Sequence, residues 1–413
     1  MIAESEHQAG VDRLPASIWA LGFVSLLMDL SSELIHSLLP VFMVSGLGAS
    51  ALAVGLIEGV AEATALIVKV FSGAWSDYFG KRKPAAVFGY GLGALSKPLF
   101  ALAPSVGLVL LARLVDRTGK GIRGAPRDAL VADIVPPGLR GAAFGLRQSL
   151  DTIGAFLGPL LAMGLMLVWS GDFRKVFWIA VIPGVLSVAL LALGVREPEQ
   201  AKSDRQARVN PFKKESLRRL PAAFWWVVVI GGFFTLARFS EAFLVLRAAQ
   251  GGLPLALTPL VLVGMNVAYA LTAYPLGKLS DRIRPERLLG LGLLLLIVAD
   301  SMLAYSVHWV WVWAGLSCWG VHLGATQGLL AKMVADTAPS TLRGTAFGVF
   351  NLACGVAMLV ASGLAGFLWD RLGPASTFLA GAVFSGLAGV ALLARAQGST
   401  RIVASEQPEA EST

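Results

Sequence analysis

The chain has 413 residues, 56% of them apolar and only 15% charged, with a formal net charge of +8. A soluble domain carries about a quarter charged residues, so this composition excludes a soluble globular fold. The two cysteines and four histidines lack metal-ligand spacing, so neither a metal centre nor a disulfide framework is expected.

Residues 1–16 are polar and lack a signal-peptide cleavage pattern, so they read as a cytoplasmic tail. Twelve apolar segments then approach the roughly 20 residues needed to cross a bilayer. They lie near 17–45, 50–75, 84–104, 107–131, 142–169, 175–195, 221–247, 254–277, 287–306, 309–333, 345–369 and 374–395. Runs such as Leu288–Val298 do not alternate apolar and polar residues, which excludes barrel strands. The expected fold is therefore an all-α integral membrane protein. Its parts are six-helix halves at 17–195 and 221–395, a basic cytoplasmic linker at 196–220, and a cytoplasmic tail at 396–413.

Charge inside the spans is costly, about 2.5–3.5 kcal/mol per residue at bilayer depth, so it is expected to face a cavity or another charge. Span one carries Asp29, Glu33 and His36 at i, i+4 and i+7, one face of a helix. Span two adds Glu58, Glu62 and Lys69 on a narrow stripe. Carboxyls one turn apart repel when both are ionised, so one readily holds a proton. Asp29, Glu33 and His36, with Glu58 and Glu62 behind them, are the proton-coupling candidates.

Span three contributes Lys97, which is expected to pair with Glu58 or Glu62. Span four places Arg113, Asp116, Arg117, Lys120, Arg123, Arg127 and Asp128 within about 140° of a helical wheel. Five cations against two acids leave this face cationic unless the acids of spans one and two neutralise it. Arg113, Arg117 and Lys120 are thus candidates for an anionic substrate, and internal pairing is the alternative. Arg123, Arg127 and Asp128 lie toward the cytoplasmic end and are assigned to a gate.

The linker is rich in Lys and Arg without apolar periodicity and reads as a flexible tether. The second half is less charged. Span seven carries Arg238 and Glu241, three residues apart, and span ten carries His322, Gln327 and Lys332. Trp309, Trp311 and Trp313 open span ten as an interfacial aromatic belt. Span nine holds Asp300, the repeat equivalent of Lys97, with no evident partner. Basic residues concentrate on the connections that share a side with the termini. The positive-inside rule makes that side the cytoplasm and accounts for the net charge without nucleic acid.

Two segments are written twice. Val131–Gly145 reads VADIVPPGLRGAAFG and Val334–Gly348 reads VADTAPSTLRGTAFG, identical at ten of fifteen positions with an offset of 203 residues. Gly73–Arg82 reads GAWSDYFGKR, and Gly277–Arg287 reads GKLSDRIRPER, with Gly and Asp four apart in both. Parallel repeats of mainly apolar halves are a transporter architecture.

The first of these loops, Gly73-x-x-x-Asp77-x-x-Gly80-Lys81-Arg82, resembles the signature loop of the major facilitator superfamily. The six-plus-six plan, the basic linker and the Pro-x-x-Leu-Arg-Gly segments resemble it too. The second loop departs, because it lacks the second Gly. The resemblance implies a gate in which Asp77 holds the start of span eleven near Thr345–Phe347, and Lys81 or Arg82 meets Asp133. Gly277, Asp281, Arg282 and Asp336 would repeat that arrangement, with Arg140 and Arg343 following in each half. It also implies that spans one, four, seven and ten line the substrate cavity, adding Arg238, Glu241, His322 and Gln327.

No phosphate-cradling loop or nucleophile–base pair is present, so the chain reads as no enzyme and as needing no cofactor or metal. The expected function is secondary active transport of a small molecule by alternating access, coupled to protons and directed outward by antiport. An importer or exchanger of an organic or phosphorylated anion is the alternative, and a transporter-like sensor or scaffold without flux is a third. The expected setting is a monomer in the inner membrane with both termini cytoplasmic. Its partners would be protons, a small-molecule substrate and bilayer lipid, with no nucleic acid.

Overall fold

The computed structural model describes residues 14–79, 82–136, 139–197, 217–280, 283, 285–306, 309–326, 329–339 and 342–405. The first half begins with α1 (Ala16–His36), a short α2 (Leu39–Val41) and a π-turn at Phe42–Gly46. Helices α3 (Ala51–Phe79), α4 (Arg82–Leu102), α5 (Val106–Ile134), α6 (Arg140–Val168) and α7 (Phe173–Gly194) follow. The second half comprises α8 (Ala222–Ala237), α9 (Ala242–Gln250), α10 (Leu260–Ser280), α11 (Pro285–Tyr305), α12 (Trp309–Thr326), α13 (Leu329–Thr337), α14 (Arg343–Leu372) and α15 (Pro374–Ser405).

Among the described residues, ten spans are long and apolar enough to cross a membrane by length and composition. The other two are α5, whose charged stripe lowers its apolarity, and α12, which is rich in Trp and Gly and carries His322. All-helical architecture follows from bilayer physics, since only a helix satisfies its backbone polar groups within one apolar segment. Phe71, Phe88, Leu95, Val168 and Leu193 point outward. Lipid tails are as apolar as these side chains, so their exposure is no liability.

Contacts divide the chain into two units. One contains residues 1–208 and 241–263, the other residues 209–240 and 264–413. Within the first, α1 packs on α6 and α7, and α4 packs on α5 and α7. Within the second, α8 packs on α14 and α15, and α11 packs on α12 and α15, which repeats the same four pairings. Buried Ile18, Leu21, Val24, Tyr90 and Leu191 centre the first core. Phe224, Val227, Ile230, Leu293 and Leu392 belong to the second.

Span seven is not the continuous helix expected. It stops at Ala237 and restarts at Ala242, with Arg238 at φ −103°, ψ 73°. The Ser240 N–H donates to Ser362 Oγ at 3.3 Å instead of to a helical carbonyl. Span one breaks at the repeat-equivalent place, between His36 and Leu39. There Pro40 opens α2, because a residue without an N–H fits a helix start better than its interior.

Candidate functional site

The polar residues of the first half converge on α5. That helix can approach α4 closely because Gly119 faces Gly89; a Cβ on Gly119 would lie 2.6 Å from the Gly89 carbonyl oxygen. The close approach brings Lys97 of α4 against Asp116 of α5, with Nζ 2.7 Å from Oδ1. Lys97 is wholly buried and also donates to Ser32 Oγ at 3.0 Å, while Ser96 Oγ donates to Asp116 at 3.2 Å. Lys97 therefore does not pair with Glu58 or Glu62 as expected from sequence. Those acids are held by arginines of α5.

Arg113 grips Glu58 with two parallel bonds, Nε to Oε1 at 3.0 Å and Nη2 to Oε2. Arg117 Nη2 reaches Glu62 Oε1 at 3.1 Å. Arg123 lies 3.7 Å from Asp29 Oδ1 and stacks over the Tyr90 ring at 4.8 Å. Planar guanidinium suits both contacts, a forked bond to carboxylate and a face on an aromatic ring. Arg127 and Arg147 share Asp128 and Asp151 at 3.1–3.9 Å. Asp151 also meets the Asp29 carboxyl, which gives α1 and α6 a pair of adjoining acids.

His36 stands in the middle. Its Nε2 lies 2.6 Å from Arg113 Nη1 and 3.4 Å from Asp116 Oδ2; its Nδ1 lies 3.8 Å from Glu33 Oε1. A guanidinium can only donate, and the imidazole faces one on each nitrogen, since Arg117 Nη2 lies 3.4 Å from Nδ1. With His36 neutral, five carboxylates (Asp29, Glu33, Glu58, Glu62, Asp116) face five cations (Lys97, Arg113, Arg117, Lys120, Arg123). The surplus positive charge counted on span four alone is thereby matched.

The partners differ in tightness. Glu58, Arg113, Asp116 and Arg117 are at most 7% exposed at the side chain, whereas Asp29, Glu33 and Glu62 are 23%, 30% and 34% exposed. Lys120 is exposed, and among the described residues no carboxylate lies within ion-pair distance of it. The arrangement is a dry, paired floor with three acids and one amine on its accessible side.

At the end where a gate is expected, Arg82 Nη1 sits 2.7 Å from Asp133 Oδ2. Glu197 accepts from the Arg82 and Lys83 N–H groups, capping the start of α4. Arg140 Nε donates to the Ala132 carbonyl at 3.2 Å, and Asp336 is exposed near the end of α13. Gly80, Lys81, Asp281, Arg282 and Gln327 lie outside the described residues, as do the side chains of Asp77 and Arg343, while Gly73 lies within α3 and Gly277 within α10.

In the second half, Arg238 lies over the Phe234 and Trp319 rings at 5.8 and 5.9 Å, and Glu241 opens α9. His322 is buried, stacks on Phe234, and donates from Nδ1 to the Gly292 carbonyl at 2.7 Å. Sequence reasoning missed Asp116 as the hub of the first half and Asp151 as the neighbour of Asp29. The 203-residue offset held a usable signal, since it relates Lys97–Asp116 to Asp300–Trp319, two contacts between equivalent helices.

The model of the Major Facilitator Superfamily matches residues 21–361 and 242–412. The chain belongs to the major facilitator superfamily. It is 32% identical over 387 residues to an uncharacterised MFS-type transporter of Methanocaldococcus jannaschii, covering 92% of this chain and 95% of that protein. It is 28% identical over 278 residues to the multidrug resistance protein MdtH of Photorhabdus laumondii, covering 66% and 67%. Among solved structures, the inward-facing, occupied bacterial homologue of the human lysosomal transporter Spinster superposes with a TM-score of 0.76. It is 17% identical, with 92% and 96% of the two chains covered. The nucleoside transporter NupG gives 0.75 at 13% identity, with 91% and 99% covered. This major facilitator protein is thus a multi-pass membrane transporter of twelve spans, not an enzyme.

Proposed function

We propose that this major facilitator protein exports a small molecule in exchange for protons by alternating access. In this reading the six-helix halves 17–195 and 221–395 are the moving bodies, and 196–220 is their tether. The protein works as a monomer in the inner membrane with both termini cytoplasmic. The observation that carries the reading is the accessible acid edge of the paired network. Asp29 is held at 3.7 Å by Arg123 beside Asp151, and Glu33 at 3.8 Å by His36, while Glu58 is clamped by a forked arginine. Loosely held acids next to a dry ion-pair floor can take up a proton without dismantling that floor. The likeness to a multidrug resistance protein supports the outward direction.

In the same reading Asp77, Asp133 and Arg82 close the cytoplasmic side, and Asp281 and Asp336 repeat the device. The test is a compound panel offered to purified protein in liposomes containing a pH dye. Substrate-dependent proton movement is expected, and substrate flux with no pH change would remove the coupling. A second reading, uptake or exchange of an organic or phosphorylated anion, is favoured by Lys120, the exposed amine of the stripe.

A further inference from the structure

Asp300 of α11 is fully buried, yet among the described residues only one of its carboxyl oxygens is engaged. Trp319 Nε1 donates to Oδ1 at 3.2 Å, whereas Oδ2 is closed to solvent without a hydrogen-bond partner. Among the described residues no Lys, Arg or His nitrogen lies within 4.0 Å of it. Gly381 of α15 covers the free oxygen, for a Cβ there would stand 2.5 Å from Oδ2 and 3.0 Å from the Phe239 ring. Phe239 also contacts Trp319 and Phe378, at 6.5 and 5.5 Å between centroids, and completes an aromatic wall.

The repeat makes this arrangement informative. Adding 203 converts His36, Lys97 and Asp116 into Phe239, Asp300 and Trp319. In the first half these positions form a histidine beside a satisfied ion pair. In the second they form a buried acid with its counter-ion replaced by an indole. An ionised carboxylate here would be an unpaired charge in an apolar wall, which is too costly to hold; the neutral acid fits.

The charged and titratable groups around it are few. From α12 come Cys318 and His322, whose Nε2 is buried without a hydrogen-bond partner among the described residues; α13 offers only Lys332 and Asp336, both exposed. Up to Ala394, α15 contributes no titratable residue. Arg238 lies over the Trp319 ring, 5.9 Å from its centroid. Phe239 lies in the break between α8 and α9, and the boundary between the two compact units falls one residue later, after Ser240.

We propose that Asp300 is a proton-binding site of the second half, loaded in the present state and unloaded when the break at Arg238–Ser240 shifts Phe239 off the acid. This site rests on the proton-coupling reading but is separate from Asp29 and Glu33. Proton and solvent would reach Oδ2 only after that shift.

Infrared spectra of the full-length protein in nanodiscs, wild type and Asp300→Asn, in ordinary and heavy water, test it without any substrate. The wild type is expected to show a carboxylic-acid carbonyl band that shifts in heavy water and is missing from Asp300→Asn. Identical spectra in the acid region, or a band that never exchanges, overturn the proposal. Asp300→Asn mimics the neutral acid and keeps an acceptor for Trp319, so its thermal stability is expected to match the wild type. A sharp loss of stability would mean that the ionised carboxylate is structural, against the proposal. In liposomes the same variant is expected to lose proton-driven accumulation and keep substrate exchange; full coupled transport overturns the role. If the wild type moves no protons, the coupling reading fails, while the infrared result still decides whether Asp300 holds one.

Discussion

Lys97 and Asp116 meet at 2.7 Å, and both side chains are closed to solvent. A buried pair of this kind stabilises little relative to an apolar pair, but removing one partner strands the other charge. Lys97→Met is therefore expected to destabilise the protein by about 3–5 kcal/mol. The double variant Lys97→Met with Asp116→Leu should recover much of that loss. Thermal unfolding of the three proteins in detergent checks it, and additive losses would speak against the pairing.

Arg117 and Lys120 lie one turn apart on α5 but differ in what their loss leaves behind. Arg117→Ala leaves Glu62 without its partner at 3.1 Å and should lower stability, by less than a fully buried pair because Glu62 is 34% exposed. Lys120→Ala strands no carboxylate and should leave thermal stability unchanged. If Lys120→Ala nevertheless abolishes binding of anionic compounds, the second functional reading gains over the first.

Arg82 and Asp133, each partly exposed, form the ion pair at the gate end. Such a pair contributes about 0–1 kcal/mol to stability, so its importance should appear in transport rather than folding. Arg82→Asp and Asp133→Arg are each expected to slow flux, and the combined swap to restore it. Equal flux in all four proteins would exclude a gating role. Asp77→Asn should impair flux while leaving insertion intact.

How much of this was legible without coordinates depends on the kind of information. Charge at bilayer depth is expensive, so Asp29, Glu33, His36 and the α5 stripe could be recognised as facing one another. A helical wheel gives the face of each helix but not the height of its neighbour. That is why Lys97 was matched to Glu58 or Glu62, although it meets Asp116, 19 residues further along. The break at Arg238 was hidden because Phe234, Phe239 and Phe243 continue the apolar pattern through it. The repeat offset marked Asp300 as unusual, and only the packing of Trp319 and Gly381 around it explains why.

Asp172 caps α7, accepting from the Arg174 and Lys175 N–H groups at 3.1 and 3.2 Å. The Lys175 N–H holds its carboxyl below the ordinary value of 3.8. A depressed carboxylate adds stability that is fully present above the ordinary value and fades as pH falls through the lower, folded one. Asp172→Ala is expected to cost about 1 kcal/mol at neutral pH. The difference from wild type should shrink in acid, as read by unfolding at both conditions; a constant difference would contradict the cap.

Proton flux is the most direct test of the functional account. Wild type, Asp29→Asn and Glu33→Gln are reconstituted in liposomes holding a pH dye, and a transported compound is added under a proton gradient. The account predicts substrate-dependent proton movement in the wild type. It also predicts loss of that movement in both variants, with downhill substrate exchange retained. Full proton-coupled flux in both variants would contradict it.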